Sequence, residues 1–239
     1  MSATSTGTWA AARDTLRQLG WVDAGVYGLG RGLARVSRDH IRLDKHLVVA
    51  QQVQPKPRLP GRIGSDIRIR VLEPGDPIRA SFPRDAAAID HHLRQGVTCL
   101  VATRDGQFVG YHWLALGGYD EDQFRARLVL EPAAQMAWNF DLFVEPAFRL
   151  GPAFLRLWDA SHAWLAERGA TWVLSRIAAT NHTSWQAHRR MGAVALGWLL
   201  TLQVGGWQCL YCHAAGCHRL VATLDAAPTL TLHAPPPQS

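Results

Sequence analysis

Residues 99–116, CLVATRDGQFVGYHWLAL, constrain the fold more than any other stretch, because two apolar runs meet there at Arg104-Asp105-Gly106. An Asp-Gly step between such runs is a strong signal for a two-residue hairpin, so a sheet is expected at the centre of the domain. Upstream, Asp66 to Leu72 alternates Ile67, Ile69 and Val71 with Arg68 and Arg70, the pattern of a strand with one wet face. Asp85 to Gly96 reads as a short helix. Downstream, a strand is expected over Met136 to Val144, a helix from Pro152 to Glu167 ending at Gly169, and a short strand from Thr171 to Ile177. A helix over Ser184 to Met191 follows, then a strand pair through residues 197–212 that turns at Gly205-Gly206. This order predicts an α/β sheet with helices on its faces.

The 239 residues suit one packed domain with an appendage. From Trp9 to about Val36, apolar residues recur at helical spacing (Leu16, Leu19, Val22, Val26, Leu29, Leu33, Val36) among Arg13, Arg17, Arg31 and Arg35. The glycines within it weaken a free helix, so the segment should need a surface to pack on. The expected organisation is a basic amphipathic helical extension over residues 1–53, a Pro/Gly connector over 54–65, a main domain over 66–224 and a disordered tail over 225–239. Residues 1–70 hold 12 Lys/Arg against 5 Asp/Glu, whereas the rest holds 13 against 14. The positive field therefore belongs to the N-terminal segment, which would attract phosphate-rich or acidic partners. Peripheral membrane contact through residues 9–38 is one outlet for it. Nucleic-acid binding is not expected, since the segment lacks interleaved aromatics and a recognisable motif. With no long apolar run and no secretory leader pattern, the cytoplasm is the expected compartment.

Two patches carry a specific signal. DLFVEPAFRLGPAFLRLW, residues 141–158, is similar to the strand, Pro and Arg entry of the pantetheine motif of GNAT N-acyltransferases, and NHTSWQAHRRMGA, residues 181–193, resembles the N-x-x-S helix of that superfamily. The resemblance covers some 150 residues. It implies an α/β (α+β) GNAT fold: a mixed central sheet splayed between two parallel strands, with helices on both faces. In such a fold the free backbone edge of one parted strand pairs with the pantetheine amides as an added strand would. Here that strand would begin at Asn139, with Leu142, Phe143 and Val144 along the arm. Peptide N–H groups near Leu142 and Val144 would polarise the thioester carbonyl. The implied activity is transfer of an acyl group from a pantetheine thioester to a primary amine.

The sequence departs from the family at the phosphate loop. Arg149 fills the first position of R/Q-x-x-G-x-G/A, but Pro152 and Phe154 stand where small residues belong. Proline has no N–H to donate, and Phe adds bulk where a phosphate must approach. Three readings follow: a shifted loop through Gly151 that still takes acyl-CoA, a pantetheine donor without the nucleotide such as an acidic acyl carrier protein, or a catalytically degenerate module that binds acyl-pantetheine or a peptide.

For the chemistry, Asp141 is the candidate base, since the family often has a carboxylate there, and Glu145 at the strand's end is the spare. His188 takes the place where the family commonly has a Tyr that protonates the leaving thiolate. Asn181 and Ser184 are candidate contacts to the arm, and Asn181 is equally a helix N-cap. Cys209, Cys212, His213, Cys217 and His218 are spaced as zinc ligands can be, yet in a strand Cys209 and Cys212 point to opposite faces, so no metal is expected. The acceptor, a small amine or a peptide, would be chosen by the loops Gly117 to Pro132 and Pro74 to Arg84.

Overall fold

The computed structural model describes residue 21 and residues 23–235. In chain order they form α1 (23–37), β1 (Ile41–Gln52), β2 (Ile67–Val71), α2 (Ala86–Arg94), β3 (Thr98–Arg104) and β4 (Gln107–Leu116). Then come β5 (Gly118–Glu121), β6 (Ala126–Glu131), β7 (Met136–Val144), α3 (Ala153–Ala166), β8 (Trp172–Ala178) and α4 (His182–Arg190). The last strands are β9 (Val194–Val204), β10 (Trp207–Ala214), β11 (Cys217–Thr223) and β12 (Thr229–His233).

The expected hairpin is β3–β4. Its loop places Asp105 at φ 51° and Gly106 at φ 79°, the left-handed pair that a two-residue turn between twisted strands requires. From it grows a nine-stranded sheet in the order β11-β10-β9-β1-β8-β7-β4-β3-β2. Every neighbouring pair is antiparallel except β7 and β8. A smaller sheet, β12-β6-β5, lies apart from it.

Two apolar layers cover the large sheet. On one face, Leu157 and Leu165 of α3 pack on Ala137, Val144 and Val173; the buried positions Ala153, Leu157, Trp158, Ser161, His162 and Leu165 recur at helical spacing. On the other face, Trp113 and Trp138 lie in one cluster with Tyr119, Leu128, Leu130, Leu230 and Leu232 of the small sheet. Burial of such rings and aliphatic chains, at about 1.5–3 kcal/mol each, binds the small sheet to the large one.

Four expectations about organisation are corrected. Residues 41–52 belong to the central sheet as β1, between β8 and β9. Their first half alternates and their second half is a buried run, Val48, Val49 and Ala50, as suits a strand covered on both faces. The span 54–65 is docked and not a free linker. The N–H of Gln54 donates to His162 Nδ1 (3.0 Å), those of Arg58 and Leu59 to the Asp159 carboxylate (3.0 and 3.1 Å), and Arg156 Nε to the Gly64 carbonyl (3.2 Å). Gly117 to Pro132 contains the β5–β6 hairpin. The tail expected to be disordered holds β12, which pairs in parallel with β6.

Of the amphipathic extension, residues 1–20 and 22 lie outside the described residues. The described part, α1, rests on β1: Gly30 meets the Leu43 carbonyl so closely that a Cβ would stand 2.6 Å from it, and Asp23 pairs with Lys45. Among the described residues no helix is long and apolar enough to cross a membrane.

Candidate active site: a slot between parted strands

β7 and β8 pair in parallel only from Met136 with Trp172 to Asn139 with Ser175. Beyond that point β7 keeps β4 on one side, as far as Val144 opposite Gly110, but has no partner on the other. The opening is lined by Asn139, Asp141, Leu142, Ser175, Arg176 and Ile177 at the sheet, with Phe154 and Trp158 of α3 and His188 of α4 along one side. It continues outward past Phe143, Val144, Arg149, Thr183 and Ala187.

The parting has a local cause. The β4–β7 register slips between Trp113 and Leu114, so Asp141 faces Trp113 and Asn139 faces Leu114 while Phe140 has no opposite residue. Such a bulge bends its strand and re-aims side chains. Phe140 stacks on Tyr119 at 4.1 Å and meets His92 edge-on at 5.0 Å. Asn139 is left towards α3, and Asp141 towards Tyr111 and Arg84, so the opening passes through the sheet from one face to the other.

The sequence candidates fall into three groups. Asp141, His188, Leu142, Asn181 and Ser184 line the inner slot, and Phe143, Val144 and Arg149 its outer part. Glu145 and Gly151 line neither part. Asp141 Oδ2 accepts hydrogen bonds from Tyr111 Oη (2.9 Å) and Arg84 Nε (3.0 Å), with Arg84 Nη2 also at 3.0 Å. Its Oδ1 takes no part in these bonds. Burial pushes the Tyr111 hydroxyl well above its ordinary range, helped by the nearby Asp141 charge, so Tyr111 stays a donor.

His188 does not fit the donor role expected of it. Its Nδ1 lies 2.8 Å from the Ser184 carbonyl, and a carbonyl only accepts, so Nδ1 carries the proton. Burial lowers its pKa, which keeps the ring neutral and leaves Nε2 an acceptor. Asn181 is an N-cap: its side chain accepts the Ser184 N–H at 3.0 Å. The Gly151 N–H donates to the Phe148 carbonyl at 3.1 Å, so it is spent in the turn. α3 begins at Pro152 with no side-chain cap and no acidic residue in its first turn, which leaves its opening N–H groups to an anion or water. Arg149 Nε holds the Val144 carbonyl at 2.9 Å, with the guanidinium 5.8 Å from the Phe143 ring centre.

Sequence reasoning missed three features. Arg176 donates to Glu121 through Nε and another guanidinium nitrogen, at 2.6 and 2.9 Å, and the side chains are 7% and 0% exposed. Burial pushes the Glu121 carboxyl up while Arg176 pulls it back; two parallel bonds of this length fit an ionised pair. A lone Arg inside the apolar strand Trp172–Ala178 was its one available signal. Arg84, beside Asp141, sits in a loop with no pattern to mark it. The third feature is a cluster of rings under the slot: Trp158 lies 5.6 Å from His112, 5.3 Å from His162 and 5.2 Å from His188. Among the described residues no group of His, Cys, Asp or Glu is arranged to hold a metal, and the four cysteines are free.

No protein-family model matches the chain, and no curated protein matches it. Among solved structures, an aminoglycoside acetyltransferase from an uncultured soil metagenomic sample, in complex with trehalose, is 14% identical with a TM-score of 0.40, over 54% of this chain and 88% of that one. A GCN5-related N-acetyltransferase from Sphaerobacter thermophilus is 19% identical with a TM-score of 0.45, over 72% of this chain and 54% of that one. A GNAT-family acetyltransferase from Elizabethkingia anophelis with acetyl-CoA bound is 12% identical with a TM-score of 0.41, over 52% and 74%. At these scores the likenesses add no argument to the chain's own topology. With β7 and β8 parallel up to Asn139 and Ser175 and parted beyond them, the chain has the splayed mixed sheet of a GNAT-type fold.

Proposed function

We propose that the slot takes the pantetheine arm of an acyl thioester and that the protein transfers the acyl group to a primary amine. The observation that carries this reading is the unpaired edge of β7 after Asn139, which offers peptide groups to the arm's amides as a missing strand would. Leu142, Phe143 and Val144 supply that edge, with Asn181 and Ser184 on the opposite wall. The acceptor enters from the face of Asp141 and Arg176.

In the reaction the amine lone pair attacks the thioester carbon and the carbonyl π pair moves to oxygen. Collapse restores the carbonyl and expels the thiolate. The nitrogen's proton passes to Asp141 Oδ1 and on to water; the thiolate takes its proton from water in the open slot. His188 Nε2, an acceptor, suits a hydrogen bond from an N–H of the arm better than proton donation to sulfur.

The donor is coenzyme A-linked or carrier-linked. Arg149 and the uncapped start of α3 favour an anion, whereas Pro152, Phe154 and the engaged Gly151 N–H offer a pyrophosphate a poor cradle. Calorimetric titration with acetyl-CoA, and separately with an acylated carrier protein, distinguishes the two. Absence of binding to both removes the acyltransferase reading. Asp141→Asn is expected to lower turnover by about 10²-fold with donor affinity unchanged; a variant with full turnover would take the base away from Asp141.

A further inference from the structure

Arg176 is the one cation of β8, and its side chain is 7% exposed. A guanidinium carries five N–H bonds in a fixed plane. Glu121 accepts one from Nε at 2.6 Å and one from Nη2 at 2.9 Å, which uses one edge of the fork and fixes the plane of the group. Three N–H bonds remain, one on Nη2 and two on Nη1. Nη1 has no hydrogen-bond partner among the described residues, and it is not sealed away as the orphaned ring nitrogens of Trp113, Trp138 and Trp158 are. It therefore reaches open space. Arg176 lines the inner slot, so the free edge of its guanidinium opens there.

The same opening is lined by Asp141, whose Oδ2 is held by Arg84 and Tyr111. Two carboxylate–guanidinium pairs thus meet at one slot, and their charges cancel. A plain ammonium would bring an unbalanced cation into it, whereas a zwitterion brings one charge of each sign and finds a partner for both. Stability alone does not call for the buried pair, since apolar residues of similar size pack as well. A donor edge held rigidly towards the slot does call for it. The Nη1–Nη2 edge presents two parallel N–H bonds, the spacing that the two oxygens of a carboxylate match.

We infer that the acceptor is an amino acid, whose carboxylate sits on the Nη1–Nη2 edge of Arg176 while its amine lies towards Asp141. This rests on the acyltransferase reading and deepens it by naming the acceptor class, with Glu121 as the residue that positions Arg176. The carboxylate takes no part in the bond changes. The nitrogen–carbon bond forms, the carbon–sulfur bond breaks, and the proton of the nitrogen leaves through Asp141. The product, an N-acyl amino acid, no longer carries the ammonium charge, so it keeps only half of the match and is released.

The test measures kcat/KM, with whichever donor the protein binds, for glycine, L-leucine, β-alanine and 4-aminobutanoate against their primary carboxamides, compared at equal concentration of free amine. The native protein is expected to favour at least one acid over its carboxamide by about 10²-fold. In the double variant Glu121→Leu with Arg176→Met the gap should close through a raised KM for the acid, a change of preference that a purely structural pair would not produce. Arg176→Lys, which keeps a charge for Glu121 but has no second fork, should narrow the gap at least tenfold, and it decides if the double variant does not fold. Acid and carboxamide used alike by the native protein, or a gap that survives both variants, overturns the inference and leaves the acyltransferase reading standing. So does a donor that binds and acylates none of these amines. A native protein that binds neither donor overturns both.

Discussion

Glu121→Ala is expected to destabilise the protein by about 3–5 kcal/mol, the usual consequence of removing one member of a buried ion pair. At this chain length that is a fall in melting temperature of about 10 °C. The cause is Arg176, whose buried guanidinium is balanced largely by Glu121. Without the carboxylate, a guanidinium remains beside Phe124, 5.8 Å from the ring centre, with its hydrogen bonds unmade. Replacing both partners with apolar residues, as in Glu121→Leu with Arg176→Met, should recover most of the loss, because a paired buried charge gains little over good packing. Denaturant unfolding of the single and double variants measures both. A single variant within 1 kcal/mol of the native protein would show that water reaches the pair.

The same pair ties the small sheet to the slot. Glu121 ends β5, and Arg176 is the first residue of β8 beyond its last pairing with β7. Loss of Glu121 therefore loosens one lip of the opening, while the double variant restores stability but leaves that lip without the Arg176 cation. Activity that stays low in the stable double variant would assign Arg176 a part in receiving the acceptor.

Local signals made much of this legible. The Asp105-Gly106 turn, the strand over Met136 to Val144 and the helix opening near Pro152 depend on neighbours in sequence, and β3–β4, β7 and α3 lie where those residues put them. Asn181 caps α4 by contact with Ser184, three residues on. What stayed hidden joins distant segments. β1 falls in the span expected to be a helical extension, and its place between β8 and β9 unites residues 120 or more apart. β12 is a short apolar pattern beside prolines whose partner, β6, lies about 100 residues back. The slot follows the same rule. Its candidate residues stand in two recognisable patches, whereas the partners that set their chemistry, Arg84, Tyr111, His112 and Glu121, come from β4, β5 and a loop with no motif.

A steep loss of stability in mild acid is expected, because three imidazoles are buried uncharged. Burial lowers the pKa of His46 to about 4, with the Arg176 charge adding to it; His162 to about 4, with Arg58 adding; and His112 to about 3. Their ordinary value is 6.5, so in this window the unfolded chain binds protons that the folded chain refuses. Stability therefore rises with pH across it and is lost as pH falls from about 6.5 towards 4. Each group contributes up to about 1.4 kcal/mol per pH unit, and together they match the whole stability of an ordinary domain within a few units. Asp122 adds to the loss only lower down: the hydrogen bond from His92 holds its carboxyl below the usual range, so that contribution goes once the carboxylate of the unfolded chain would be protonated. Urea unfolding at pH 7, 6 and 5 should show the fall. His46→Phe, which puts an uncharged ring beside Phe124, should make the fall between pH 6 and 5 shallower. Equal stability at pH 7 and 5 would mean that these imidazoles take up protons in place, through water that enters beneath the sheet.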